Sequence, residues 1–111
     1  MRVEVEQRDG VRVLRLAGGE WLDAASVGGV KSEAVLAIDG RADIVVDVAG
    51  IAFIDSAGLG LLVSLVKAAR LHGRSLALTG VRPPVRRILE IIQLDRILEL
   101  REGSAAGVGE R

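Results

Sequence analysis

The chain has 111 residues, enough for one hydrophobic core and too few for two, with 50% hydrophobic residues and a mean hydropathy of +0.38. Fifteen Lys and Arg cancel fifteen Asp and Glu, so no global field favours nucleic acid or an anionic membrane surface. The absence of cysteine excludes a disulfide framework, a thiolate metal site and a cysteine nucleophile; with one Trp and one Phe, the core falls to Val, Leu, Ile and Ala.

Glu4 and Glu6 interrupt the N-terminal segment, which lacks the basic-then-apolar order of a secretion signal. No apolar run approaches the ~18 residues of a spanning helix, so a cytoplasmic location is expected. Val3 and Val5 alternate with charges, and Val11, Val13 and Leu14 to Leu16 resume after Asp9-Gly10, a turn dipeptide that predicts a hairpin ended by Gly18-Gly19. A helical stripe (Val27, Val30, Ala34, Ile38) predicts a helix over Ala24–Ile38 with Asp23 as N-cap, weakened by Gly28-Gly29 at ~1 kcal/mol each. Ile44 to Val48 reads as a central strand covered on both faces. Residues 57–71 form the strongest helix pattern, stopped by Gly73, and Ser75 to Thr79 form another strand. Pro83-Pro84 suit a helix start, with Val85, Ile88, Leu89 and Ile92 following at helical spacing, and Leu98 and Leu100 suggest an edge strand. The result is an α/β layer domain over residues 1–102, with a flexible tail from Gly103 to Arg111.

The segment Phe53-Ile54-Asp55-Ser56-Ala57-Gly58-Leu59-Gly60 carries the chemistry. An apolar strand-like run ends in Asp-Ser, and glycines open the long helix, so the Ser56 hydroxyl stands where backbone N–H groups lack partners. Two roles are open to it. It can cap the helix as serine commonly does, or it can accept a phosphate, which the helix N-terminus favours. At ~100° per residue, Leu59, Leu62, Val63, Leu65, Val66 and Ala69 face the sheet, while Ser56, Gly60, Ser64 and Lys67 share a polar side. Leu61 and Leu65 widen the apolar arc to roughly 200°, either as a partner surface or as a face buried by neighbouring segments. Gly58 and Gly60 allow either close partner approach or tight helix–sheet packing.

Catalysis finds little support. Ile54 stands where a nucleophile elbow needs its first glycine, and His72 is the only histidine. Sixteen residues along the same helix put it roughly 24 Å from Ser56, out of hydrogen-bond reach and into a solvated helix end. No phosphate-binding Gly-rich loop ending in Lys-Ser/Thr is present, and no cofactor or metal is expected. Arg82, Arg86 and Arg87 cluster without stacking aromatics, the pattern of a solvated face or a contact for an acidic patch rather than a nucleic-acid site.

The block Ile44–Gly60 resembles the signature of the STAS domain, and specifically of bacterial anti-sigma factor antagonists. The similarity runs on through Gly73, Leu76–Thr79 and Pro84-Val85-Arg86-Arg87-Ile88-Leu89 to Leu94, and Leu22-Asp23 matches a Leu-Asp pair before the family's first helix, covering roughly residues 11–100. The resemblance implies a mixed β-sheet of four to five strands flanked by three to four helices and opening with a hairpin. It also implies a monomer or weak dimer that binds, when unphosphorylated, an anti-sigma factor that is also a serine kinase. Binding frees a sigma factor, phosphorylation of Ser56 ends it, and a phosphatase resets the switch. The partner surface expected on this basis comprises Asp23, Asp55, Ser56, Ala57, Gly58, Leu59, Gly60, Leu61 and Ser64. A different role on the same fold is a scaffold subunit of a stress-signalling complex or an accessory subunit of a lipid transporter. Gly19-Glu20-Trp21, Gly28-Gly29 and Ile91-Ile92-Gln93-Leu94 depart from the family pattern, and Trp21 is either an interface anchor or a cap on the core.

Overall fold

A computed structural model describes residues 1–101; the tail expected from Gly103 lies outside the described residues. β1 (Arg2–Arg8) and β2 (Val11–Ala17) form the expected antiparallel hairpin. Asp9 and Gly10 take φ of 42° and 80°, the mirror-image two-residue turn whose twist suits paired strands. There follow β3 (Trp21–Leu22), α1 (Ala24–Val27), α2 (Lys31–Leu36), β4 (Asp43–Asp47), β5 (Phe53–Ile54) and α3 (Ser56–Leu71). β6 (Leu76–Thr79), α4 (Pro83–Ile91), a 3-10 turn over Leu94–Arg96 and β7 (Glu99–Arg101) complete the described chain.

The main sheet has the order β1-β2-β4-β6-β7, with β1 antiparallel and the other neighbours parallel. The parallel strands advance in one direction through helical crossovers, and crossovers of one hand then lay every helix on one face. The burial pattern agrees. Leu14, Leu16, Ile44, Val46 and Leu78 share one core with the buried side chains of α3 and α4. On the opposite face, Val13 and Val45 pack with Val11, strand residues alone. The apolar run of β4 is therefore buried on both faces, but among the described residues only one of them lies under helices.

The helix expected over 24–38 is two short ones. α1 stops at Val27, Gly28 caps it, and α2 begins after Val30, so the two glycines break the helix rather than merely weaken it. The stripe survives the break: Val30, Ala34 and Ile38 are all in the core. The wide apolar arc of α3 has its explanation here. α1 and α2 pack against α3, which rests on the sheet by its other flank, and Leu61 and Leu65 are 1% and 0% exposed. Val63, expected on the sheet side, is only half-buried and stands outside the core cluster.

Candidate functional site

The site is built by a second, two-stranded sheet that the sequence pattern did not reveal. β3 pairs in parallel with β5, Trp21 opposite Phe53 and Leu22 opposite Ile54. Backbone bonds from Ala52 and Phe53 to the Glu20 carbonyl (2.8 and 3.1 Å) and from Asp55 to the Leu22 carbonyl (3.2 Å) fasten it. Leu22 is fully buried and Ile54 packs on the core, so the alternation along each strand turns Trp21 and Phe53 outward. The same ladder sets the starts of α1 and α3 side by side.

Each start has an aspartate cap. Asp23 Oδ1 accepts from the Ala25 and Ser26 N–H groups, and Ser26 Oγ accepts from the Asp23 N–H, a reciprocal capping box. Asp55 caps α3 through Oδ1, which accepts from the Gly58 N–H at 3.0 Å, while Oδ2 accepts from the Ala24 N–H at the start of α1 at 3.2 Å. The bond from Gly58 is the largest influence on the Asp55 carboxyl; against the opposing effect of desolvation, and helped by the bond from Ala24, it holds the group below its ordinary range. The capping role read as open to Ser56 thus belongs to its neighbour. Ser56 is the first residue of α3, exposed, and its hydroxyl makes no hydrogen bond among the described residues.

The nine expected surface residues divide. Asp55, Ser56 and Gly60 are exposed, while Asp23, Ala57, Leu59 and Ser64 are half-buried. Gly58 and Leu61 are buried and present no side-chain surface in the isolated chain. The two glycines part company for a physical reason. A methyl on Gly58 would overlap the Leu22 carbonyl oxygen and meet Ile54 Cγ1 at 2.7 Å, whereas one on Gly60 meets nothing within 4 Å. Gly58 serves packing, and Gly60 leaves open space one turn along from Ser56.

Trp21 does not cap the core. It is 58% exposed and stacks on Phe53, itself 48% exposed, with ring centroids 4.4 Å apart and planes at 27°. Its position on a two-residue strand leaves no periodicity to read, which is why the sequence left its role open. His72 is exposed at the C-terminal end of α3, as expected. The arginine cluster disperses: Arg82 donates to the Ala49 carbonyl at 2.8 Å and pairs with Glu20 at 3.9 Å, Arg86 is half-buried and Arg87 is exposed. Arg82 and Glu20 line a cleft of about 410 Å³ at the C-terminal ends of β2 and β4, where Arg15 is already matched by Asp47 at 3.1 Å.

A family model described as the STAS domain matches residues 2–106. The anti-sigma F factor antagonist of Paenibacillus polymyxa is 30% identical over 112 residues, covering 99% of this chain and 94% of that protein. Among solved structures, an anti-sigma-factor antagonist (STAS) domain protein from Planctomyces limnophilus aligns with a TM-score of 0.86 at 20% identity, over 96% of this chain and 95% of the other. The Bacillus cell fate determinant SpoIIAA in its phosphorylated form aligns with a TM-score of 0.73 at 20% identity, over 98% and 97%. A five-stranded mixed sheet with four helices, opening on a hairpin, is the architecture that the sequence resemblance implied. Fold, signature segment and relatives agree, and the chain belongs to the STAS domain family.

Proposed function

We propose that this protein is an anti-sigma factor antagonist whose docking is controlled by phosphorylation of Ser56. Unphosphorylated, it binds an anti-sigma factor that is also a serine kinase, and the sigma factor held by that protein is released. The kinase then transfers the γ-phosphoryl group of ATP to Ser56 Oγ, the complex parts, and a phosphatase restores the hydroxyl. The observation that carries this reading is the position of Ser56: solvent-exposed at the first turn of a sixteen-residue helix whose cap is already supplied by Asp55. The hydroxyl has no structural duty and is accessible to a phosphoryl donor.

Energetics supports a switch on binding rather than on folding. A dianion at a helix N-terminus gains up to ~2 kcal/mol from the aligned backbone dipoles, so the helix survives modification. Buried without a matching charge under a partner, the same group costs on the order of 3–5 kcal/mol. At ~1.4 kcal/mol per tenfold in affinity, release by about 100-fold or more follows. The Asp55 carboxylate beside it adds like-charge repulsion.

The test is to incubate the protein with ATP and each purified anti-sigma serine kinase of the source genome, and to map the modified residue by mass. Modification at Ser56 is expected. Ser56→Ala is expected to stay bound to the same kinase, and Ser56→Glu to bind about 100-fold more weakly with a melting temperature near the wild-type value. Equal affinity of all three forms rejects the switch.

A further inference from the structure

We infer that the stacked pair Trp21–Phe53 is the anchor on which the anti-sigma factor seats when it covers Ser56; this rests on the reading above and names the second contact of the same interface. These rings are the only Trp and the only Phe of the chain, and both stand in solvent rather than in the core. Scattered exposed apolar side chains need no explanation, but a stacked pair is a concentrated patch of the residue types that dominate binding energy.

The pair is pre-organised. Trp21 and Phe53 are register partners on the β3–β5 ladder, and the residues that follow them, Leu22 and Ile54, are fixed in the core. Each ring also limits the other through the 4.4 Å stack. Little side-chain freedom is left to lose on docking, which is the condition under which buried area becomes affinity.

Continuity with Ser56 follows from chain geometry. Phe53 precedes Ser56 by three residues, a span of at most ~11 Å in extended chain. A standard interface covers ~800 Å² per partner, a disc of roughly 16 Å radius. A protein seated over Ser56 therefore reaches the rings. Asp23 and Asp55 border the two rings in sequence, while Glu20 is balanced by Arg82 at 3.9 Å, so the complementary surface is apolar at its centre and basic where it meets the two aspartates.

The pair divides the work with the phosphate. The rings supply the affinity of the unmodified complex, and the phosphate a short distance away removes it by stranding a charge.

The experiment titrates wild type, Trp21→Ala and Trp21→Phe against each purified anti-sigma serine kinase of the source genome with ADP bound, and follows melting of all three forms. Trp21→Ala is expected to weaken docking by about 30-fold or more and Trp21→Phe to recover most of it, with all three folded. In a second measurement, 5-fluorotryptophan replaces Trp21, whose single fluorine resonance is expected to shift on saturation with unlabelled anti-sigma factor. Binding of Trp21→Ala within threefold of wild type, or an unmoved resonance at saturation, overturns the anchor and leaves the Ser56 switch standing. Failure of the wild type to bind any of these kinases overturns both.

Discussion

The two oxygens of the Asp55 carboxylate accept hydrogen bonds from the backbones of two different helices, the Gly58 N–H of α3 and the Ala24 N–H of α1. One side chain thus caps the helix that carries Ser56 and ties it to its neighbour. Its carboxyl is held below the ordinary range chiefly by the Gly58 bond. A folded-state pKa below the unfolded one means stability that is complete above the ordinary carboxylate value, about 4, and is lost as pH falls through the lowered folded value. Asp55→Asn retains one acceptor for Gly58 but turns a donor toward the Ala24 N–H. It is expected to melt below wild type at neutral pH, and thermal scans at descending pH should show the gap starting to close below about pH 4 and closed once pH has passed the lowered folded value, where the wild-type carboxylate is itself protonated.

Along α3, the demands of packing and of the proposed recognition fall on different faces. Gly58, Leu61, Leu62, Leu65, Val66 and Ala69 are buried between the sheet and the first two helices, while Ser56, Gly60 and Lys67 line the solvent side. Gly58→Ala is expected to cost about 1–3 kcal/mol, since its methyl collides with the Leu22 carbonyl and Ile54, the very elements that hold β3 and β5 together. Gly60→Ala is expected to gain about 0.5–1 kcal/mol from reduced chain entropy, because the space around it is open. The same methyl stands one turn from Ser56 and is expected to weaken anti-sigma binding. Thermal denaturation and calorimetric titration of the two variants measure both effects, and the opposite signs for stability are the diagnostic result.

Among the described residues, every helix lies on one face and the other face of the sheet is left to strand side chains. Val13 and Val45 are buried there at 1% and 2% exposure, flanked by ion pairs from Arg15 to Asp47 at 3.1 Å and to Glu4 at 3.9 Å. Asp47 is 6% exposed, and its other oxygen accepts from the Ala49 N–H. Arg15→Ala removes the cation from a buried carboxylate and is expected to cost about 2 kcal/mol, with Asp47→Asn restoring part of the loss in the double variant. Chemical denaturation measures both. The division matters for the proposed switch: Ser56 is exposed and belongs to neither the main core nor this second face.

Much of this was legible in the chain. The Asp9-Gly10 turn, the Asp23 cap, the apolar run of β4 and the period of α3 are local signals, because backbone conformation and side-chain alternation over a few residues decide them. The Asp-Ser junction was readable for the same reason, but the capping role open to Ser56 falls instead to Asp55, one residue earlier. Tertiary structure decided the rest. Two-residue strands have no period, so the β3–β5 ladder, the Asp55–Ala24 tie and the outward stack of Trp21 on Phe53 arise only when residues about thirty positions apart are brought together. Whether Leu61 and Leu65 met solvent or α1 and α2 depended likewise on packing between elements, because an apolar arc records that a surface must be covered and carries no record of what covers it.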